Sequence, residues 1–278
     1  MLKNQKIVVV GASGALGAQF LTRATEFGAN CVAVSRKKLP GQKQAYQCDV
    51  TNLDEVSRAA EEISRELGAI DTVLNFSGTH HAPMDFFKGD PQELLGEFRR
   101  VIDVNLTAAF TITMLFARKM IPKRHGHIIH LCSNGSRHSL YGSYAYNASK
   151  HGLEGLIKTA AAQLAPFNIR VNGVAPGTVE TSLNRSLLRD PAGEGYSARA
   201  MSILAHTPTK KFASLEGVTE TILAMCVPQR HLTGNLVFCD DGYNIEGHSW
   251  PAGNRALFQG ARSLQDLMDQ LDREYPKE

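Results

Sequence analysis

Apolar positions along the 278-residue chain follow two alternating spacings. Short runs at 7–10, 31–34, 72–76, 127–132, 169–174 and 236–239 are almost continuously apolar, as in strands covered on both faces. Between them, 15–27, 53–67, 92–118, 144–164 and stretches between 179 and 225 carry apolar residues at helical spacing. One more strand closes at Cys48, just before Asp49. Seven strands alternating with helices predict an α/β fold, a doubly wound parallel sheet with helices on both faces. No repeat, low-complexity block or linker breaks the rhythm before Gly242, so residues 1–245 read as one domain. Residues 246–278 read as an extension: a glycine-rich loop through Trp250, Pro251 and Gly253, then a short helix with Leu264, Leu267, Met268 and Leu271 on one face.

Composition narrows the class. With 43% hydrophobic and 21% charged residues the chain can bury a large core. Thirty Lys plus Arg against 27 Asp plus Glu, with no basic run longer than residues 36–38, argue against a nucleic-acid partner. Five cysteines without Cys-x-x-Cys spacing, mostly in apolar strand-like stretches, read as buried free thiols. The opening MLKNQK precedes only four apolar residues, and no run approaches the ~18 needed to span a membrane, so a cytoplasmic protein with no membrane partner is expected. Ten histidines raise the question of a metal. His127 and His130, three apart on a strand, face opposite sides, and the adjacent His80 and His81 do not readily share an ion, so no metal site is expected.

Directly after the first strand, Gly11-Ala12-Ser13-Gly14-Ala15-Leu16-Gly17 opens a helix. Backbone N–H groups and the helix dipole bind a pyrophosphate in that setting, which marks Gly11, Ser13, Gly14, Leu16 and Gly17 as a dinucleotide cradle. Folds that hold NAD usually place an acid ~20 residues further on, to bind the ribose 2′-hydroxyl. Here no carboxylate lies between Glu26 and Asp49, and Ser35, Arg36, Lys37 and Lys38 stand at that point, suited to a 2′-phosphate. NADP(H) is therefore favoured over NAD(H). Asp49 is placed to meet the adenine amino group, and Asn75-Phe76-Ser77-Gly78 ends a strand where the sheet edge meets the cofactor crevice.

Tyr146 and Lys150 are four residues apart, on one helix face. A tyrosine is a poor base at neutrality, and a nearby cation favours its phenolate, so such a pair suits proton exchange with a hydroxyl. Ser133 ends the preceding strand, on the ligand-binding edge of a parallel sheet, and offers a hydroxyl to a substrate oxygen.

These residues resemble the short-chain dehydrogenase/reductase family in its short single-domain branch, of Rossmann type, from about Lys6 to Gly242. The likeness rests on the Gly11–Gly17 turn, Cys48-Asp49-Val50, Asn75 to Gly78, Val104-Asn105-Leu106, Ser133, Tyr146 with Lys150, the run from Val171 to Gly177, Thr233-Gly234 and Asp241-Gly242. It implies a catalytic tetrad. Asn105 links Lys150 to solvent through a helix kink and a water, Ser133 orients the substrate, Tyr146 is the acid/base, and Lys150 also grips the nicotinamide ribose. It further implies that Val50 contacts the cofactor, and that Pro176, Gly177, Val179 and Thr181 line the nicotinamide. The lid over the substrate would span 182–213, and the long helices 92–118 and 144–164 would build a homodimer or homotetramer. Two departures stand out: Val10 and Ala15 replace the usual Thr and middle Gly of the turn, and Phe76-Ser77 replaces a smaller Asn-Ala pair.

For the substrate, Ser133 and Tyr146 are joined by His138, five residues beyond Ser133, with His80 or His81 as further candidates. The mixed lid suits a medium-sized, partly apolar carbonyl compound such as an acyl thioester, a cyclic or aromatic ketone, or a polyol. The expected activity is NADP(H)-dependent interconversion of a ketone and a secondary alcohol. The alternatives are an NAD-dependent dehydrogenase of a cyclic diol or alcohol, and a non-catalytic nucleotide-binding protein.

Overall fold

The computed structural model describes residues 2–37, 39, 41–42, 44–81, 83–85, 87–139, 142–190, 195–228, 231–245 and 264–274. Its centre is a seven-stranded parallel sheet in the order β3-β2-β1-β4-β5-β6-β7. The strands are β1 Lys6–Val10, β2 Asn30–Ser35, β3 Ala45–Gln47, β4 Thr72–Asn75, β5 Gly126–Leu131, β6 Ile169–Pro176 and β7 Leu236–Cys239. The order reverses between β1 and β4, so a crevice opens beyond their carboxyl ends, where open α/β sheets bind ligands.

Alternate residues of β1 feed two cores. Val8 and Val10 pack with Ile63, Ile112, Phe116 and Ile157 on one face, while Ile7 and Val9 pack with Phe20, Leu74 and Ile222 on the other. The first face is covered by α2 Leu53–Leu67, α4 Ala108–Met120 and α5 Tyr144–Leu164, the second by α1 Ala15–Glu26 and α8 Leu215–Cys226. Helix α2 shows how the sequence sets its own limits. Asn52 accepts from the amides of Asp54 and Glu55, Val56, Ala59, Ala60, Ile63 and Leu67 form the buried stripe, and Gly68 at φ +74° ends the helix.

The helical run expected over 92–118 is divided. Helix α3, Pro91–Ile102, starts on an Asp90 cap and passes into a π-helical turn, Asp103–Thr107, before α4 continues. By length and composition alone Pro91–Lys123 is apolar enough to cross a membrane, in contrast to the expectation from the sequence. In the fold its apolar residues Ala109, Ile112 and Phe116 fill the core between α4 and the sheet. Residues 182–213 contain α6 Arg185–Leu188 and α7 Ala198–His206, and a last helix, Leu264–Glu274, lies beside α7. Residues 246–263, and the side chains of Leu264, Leu267 and Leu271, fall outside the described residues.

Candidate active site

The glycine turn is fixed by its own backbone. Gly11 adopts φ +80° and donates to Val34 O at 2.9 Å, and a Cβ there would stand 2.7 Å from the Phe76 carbonyl carbon and the Ser77 nitrogen. At Gly17 a Cβ would lie 2.6 Å from Gly11 O. Gly14 is the N-cap of α1, has extended backbone, and would meet only Gly11 O at 3.4 Å. Ser13, Gly14 and Ala15 are exposed, and α1 has neither a side-chain cap nor an acid in its first turn. Its first amides are thus unclaimed by side chains and open to an anion, which fits the pyrophosphate of a dinucleotide.

Beyond β2, Ser35 is buried and donates through Oγ to Lys37 O at 2.6 Å, which folds the loop back and leaves Arg36 and Lys37 exposed. Lys38 lies outside the described residues. Asp49 holds the amide and hydroxyl of Thr51 on Oδ1, and these bonds, aided by Arg36, keep its carboxyl below the ordinary range. The Val50 side chain belongs to the core, so any contact it makes with a ligand is through its backbone.

At the end of β4, Asn75 accepts on Oδ1 from the amide and hydroxyl of Ser77, and its amide meets His130 Nδ1 at 3.3 Å. His130 is fully buried, and its Nε2 lies 2.9 Å from Thr113 Oγ1. Thr113 gives its own proton to Ala109 O, which leaves Nε2 as the donor and Nδ1 as the acceptor. Burial pushes this imidazole down to about 3, so it is neutral. The sequence presents His130 only as a candidate metal ligand. The available signal was two polar residues in neighbouring strands, and the register pairs Asn75 with His130. His127 turns to the opposite face, toward Asn172 and Arg170.

Three of the four tetrad positions meet around α5. Lys150 is buried and donates to Leu131 O at 2.7 Å, with its nitrogen 5.7 Å from the centre of the Tyr146 ring. Ser133 holds the Gly135 amide on Oγ, and a Cβ on Gly135 would lie 3.4 Å from both that Oγ and Tyr146 Cε1. Gly135 thereby lets Ser133 and Tyr146 share one wall. Asn105 sits one shell out, in the π turn: it accepts from Thr79 N at 2.8 Å and donates to Thr79 O and Ser149 Oγ, and Ser149 donates to Tyr146 O. The widened turn is what brings an amide side chain of the α3–α4 run against α5.

Leu16, Ser133, Tyr146, Pro176, Gly177, Val179 and Thr181 line one cavity of about 190 Å3. Its loop wall is fixed by Asn184, which accepts from Thr181 N and donates to Val179 O, both at 2.9 Å. His80 joins this wall, its ring centroid 4.6 Å from that of Tyr146. Its Nδ1 is 2.6 Å from His81 O, and burial lowers it to about 4, so it is uncharged. His81 Nε2 accepts from Tyr146 N at 3.4 Å, in the first turn of α5. His138 is not among the residues lining the cavity: its ring stands edge-on to Tyr243, 5.5 Å between centroids. Among the described residues no group of three His, Cys, Asp or Glu side chains converges.

Comparison with known proteins bears on this geometry. A family model described as short chain dehydrogenase matches residues 5–192. Short-chain dehydrogenase reductase 3a of Arabidopsis thaliana is 34% identical over 260 residues, spanning 88% of this chain and 96% of the relative. Zerumbone synthase of Zingiber zerumbet is 30% identical over 268 residues, spanning 89% and 97%. The ligand-free aldohexose dehydrogenase of Thermoplasma acidophilum superposes with a TM-score of 0.77 at 26% identity, covering 89% of this chain and 98% of that one. The matched segment carries the glycine turn, Asn105, Ser133, Tyr146 and Lys150 together, and the chain belongs to the short-chain dehydrogenase/reductase family of NAD(P)-dependent oxidoreductases acting on CH–OH and C=O groups.

Proposed function

We propose that the protein interconverts a ketone and a secondary alcohol with NADP(H), and that Tyr146 exchanges the proton with the substrate oxygen. The observation that carries this reading is the shared cavity: Ser133 and Tyr146 line it beside Pro176, Gly177 and Thr181, and Lys150 stands behind the phenol. A bound nicotinamide supplies or accepts the hydride. Ser133 Oγ holds the substrate oxygen, and Tyr146 passes the proton at that atom. Lys150, anchored on Leu131 O, keeps a positive charge near the phenol. Asn105 holds the Thr79 loop against α5 through its bonds to Thr79 and Ser149, and so sets where Tyr146 lies.

The choice of NADP(H) rests on the exposed Arg36 and Lys37 after β2, where no carboxylate is present to hold a 2′-hydroxyl. Residues 1–245 form the nucleotide-binding unit with the 182–213 lid, and 246–278 an appendage to it. Assembly as a homodimer or homotetramer through α3, α4 and α5 would cover Leu95, Phe98 and Phe110, which are exposed on α3 and α4. We place the protein in the cytoplasm.

The test is a fluorescence titration of wild type and Arg36→Ala with NADPH and NADH side by side. Wild type should bind NADPH more tightly, and Arg36→Ala should weaken NADPH by about 10-fold or more while leaving NADH nearly unchanged, as expected for loss of a charge-assisted contact. Equal or tighter binding of NADH by wild type would overturn the assignment.

A further inference from the structure

The lid arginines differ in how their charge is met. Arg185 and Arg189 both pair with Glu180, at 3.2 and 2.6 Å. Arg199 forms no ion pair among the described residues; its guanidinium donates to Ser143 Oγ at 3.3 Å. It is half-buried and lines the same cavity as Ser133 and Tyr146. Among the described residues no Asp or Glu lines that cavity, His80 there is uncharged, and Arg199 is its one charged lining residue.

The position is costly for a cation. Arg199 is the second residue of α7, whose N-cap Ser197 accepts from Ala200 N. The N-terminal end of a helix carries partial positive charge and repels a cation while attracting an anion. Partial burial adds a desolvation cost that a partner of opposite charge offsets better than the single Ser143 hydroxyl does. A guanidinium at the start of a helix, in a cavity with no acid among its described lining residues, is complementary to an anion. Ser143 precedes Tyr146 by three residues, about one helical turn, so that anion and the carbonyl group at Tyr146 fit within one small molecule.

We propose that Arg199 binds a carboxylate of the substrate, so that the preferred substrates are keto acids and hydroxy acids rather than neutral carbonyl compounds. The inference rests on the proposed oxidoreductase reading, since it names the substrate class of the same cavity. The planar guanidinium suits a carboxylate through two parallel hydrogen bonds. The apolar wall formed by Leu183, Leu187 and Ile203 then faces the remaining carbon skeleton.

The test uses the NADPH-loaded full chain, with wild type, Arg199→Met and Arg199→Lys assayed on matched pairs: 3-oxobutanoate, 4-oxopentanoate and phenylglyoxylate, each against its methyl ester. Wild type should favour at least one acid over its ester in kcat/KM. Arg199→Met should cut that acid-to-ester ratio by about 30-fold, mostly through KM, and Arg199→Lys should restore part of it. NADPH affinity, measured by fluorescence, should not follow the substitution. Wild type using esters as well as acids, Arg199→Met slowing both alike, or a matching loss of NADPH affinity would overturn the proposal. If no carbonyl compound is reduced, calorimetric titration of the acids into the NADPH-loaded proteins separates the two claims. Acid binding by wild type that Arg199→Met loses would support the carboxylate site and count against the reductase reading, and no acid binding would sink the carboxylate site.

Discussion

Lys150 reaches the backbone of Leu131, its ammonium 2.7 Å from the carbonyl oxygen, and this bond fixes a buried cation 5.7 Å from the centre of the Tyr146 ring. Helix α5 is thereby tied to the end of β5, where Cys132 and Ser133 follow. Lys150→Met keeps the bulk of the side chain, removes the charge and leaves the Leu131 carbonyl without its partner. We expect kcat/KM to fall by about 100-fold or more, the scale on which general acid–base catalysis contributes, with NADPH bound more weakly. The loss in stability should stay within about 1–3 kcal/mol, the range for one buried polar group left unpaired. Steady-state kinetics and denaturant unfolding on one preparation check both, and full activity in Lys150→Met would contradict the assignment.

The glycine turn gives a prediction by contrast. Gly11 has positive φ and no room for a methyl group against Phe76 and Ser77, whereas Gly14 has φ −75° and ordinary contact distances. Gly11→Ala should destabilise the fold by about 1–3 kcal/mol from backbone strain, and by more if β4 must shift. Gly14→Ala should leave the unfolding midpoint nearly unchanged. Thermal unfolding of the two variants decides, and equal losses would show that the turn is not limited by backbone approach.

Three desolvated imidazoles, two of them buried and His80 partly so, shape the response to acid. Desolvation holds His130 at about 3 and His80 at about 4, and His127 well below its ordinary value. Each folded value lies below the unfolded one of about 6.5, so these groups take up protons on unfolding. Their contribution is intact above pH ~6.5 and is lost as the pH falls toward the folded values. For the fully buried His130 the slope is about 1.4 kcal/mol per pH unit. Denaturant unfolding at pH 7, 6 and 5 should therefore show falling stability. His130→Asn, able to keep a hydrogen bond to Asn75, should lower the slope by about one proton. An unchanged slope would mean that His130 is protonated in the folded protein.

The alternation of strands and helices was legible because parallel strands buried on both faces leave almost unbroken apolar runs, as in Lys6–Val10. The grouping of Tyr146, Lys150 and Ser133 was legible for a different reason: Tyr146 and Lys150 are neighbours on one helix, and Ser133 sits at a strand end that topology aims at the crevice. The π turn at Asp103–Thr107 was not legible in the apolar pattern, which one inserted residue hardly disturbs; a kink at Asn105 followed only from the family resemblance. The Asn75–His130 pair depends on strand register, and a histidine within an apolar strand gives no hint of its partner. Distance from Ser133 along the chain points His138 at the substrate, but after the short 3-10 turn Asn134–Ser136 its ring stands edge-on to Tyr243 instead. Arg199 stands near Arg185 and Arg189 in the sequence with nothing to set it apart, because its place at a helix start and the absence of an acidic partner among the described residues belong to the folded chain.

Removing the Tyr146 hydroxyl tests its assignment to proton exchange. Tyr146→Phe removes one oxygen and preserves the ring against which His80 packs. Fluorescence titration with NADPH, followed by a single-turnover record of NADPH absorbance on a substrate reduced by wild type, measures both halves at once. Proton exchange by Tyr146 predicts NADPH affinity within about twofold of wild type and a hydride-transfer rate lower by about 100-fold or more. Wild-type turnover by Tyr146→Phe would contradict it.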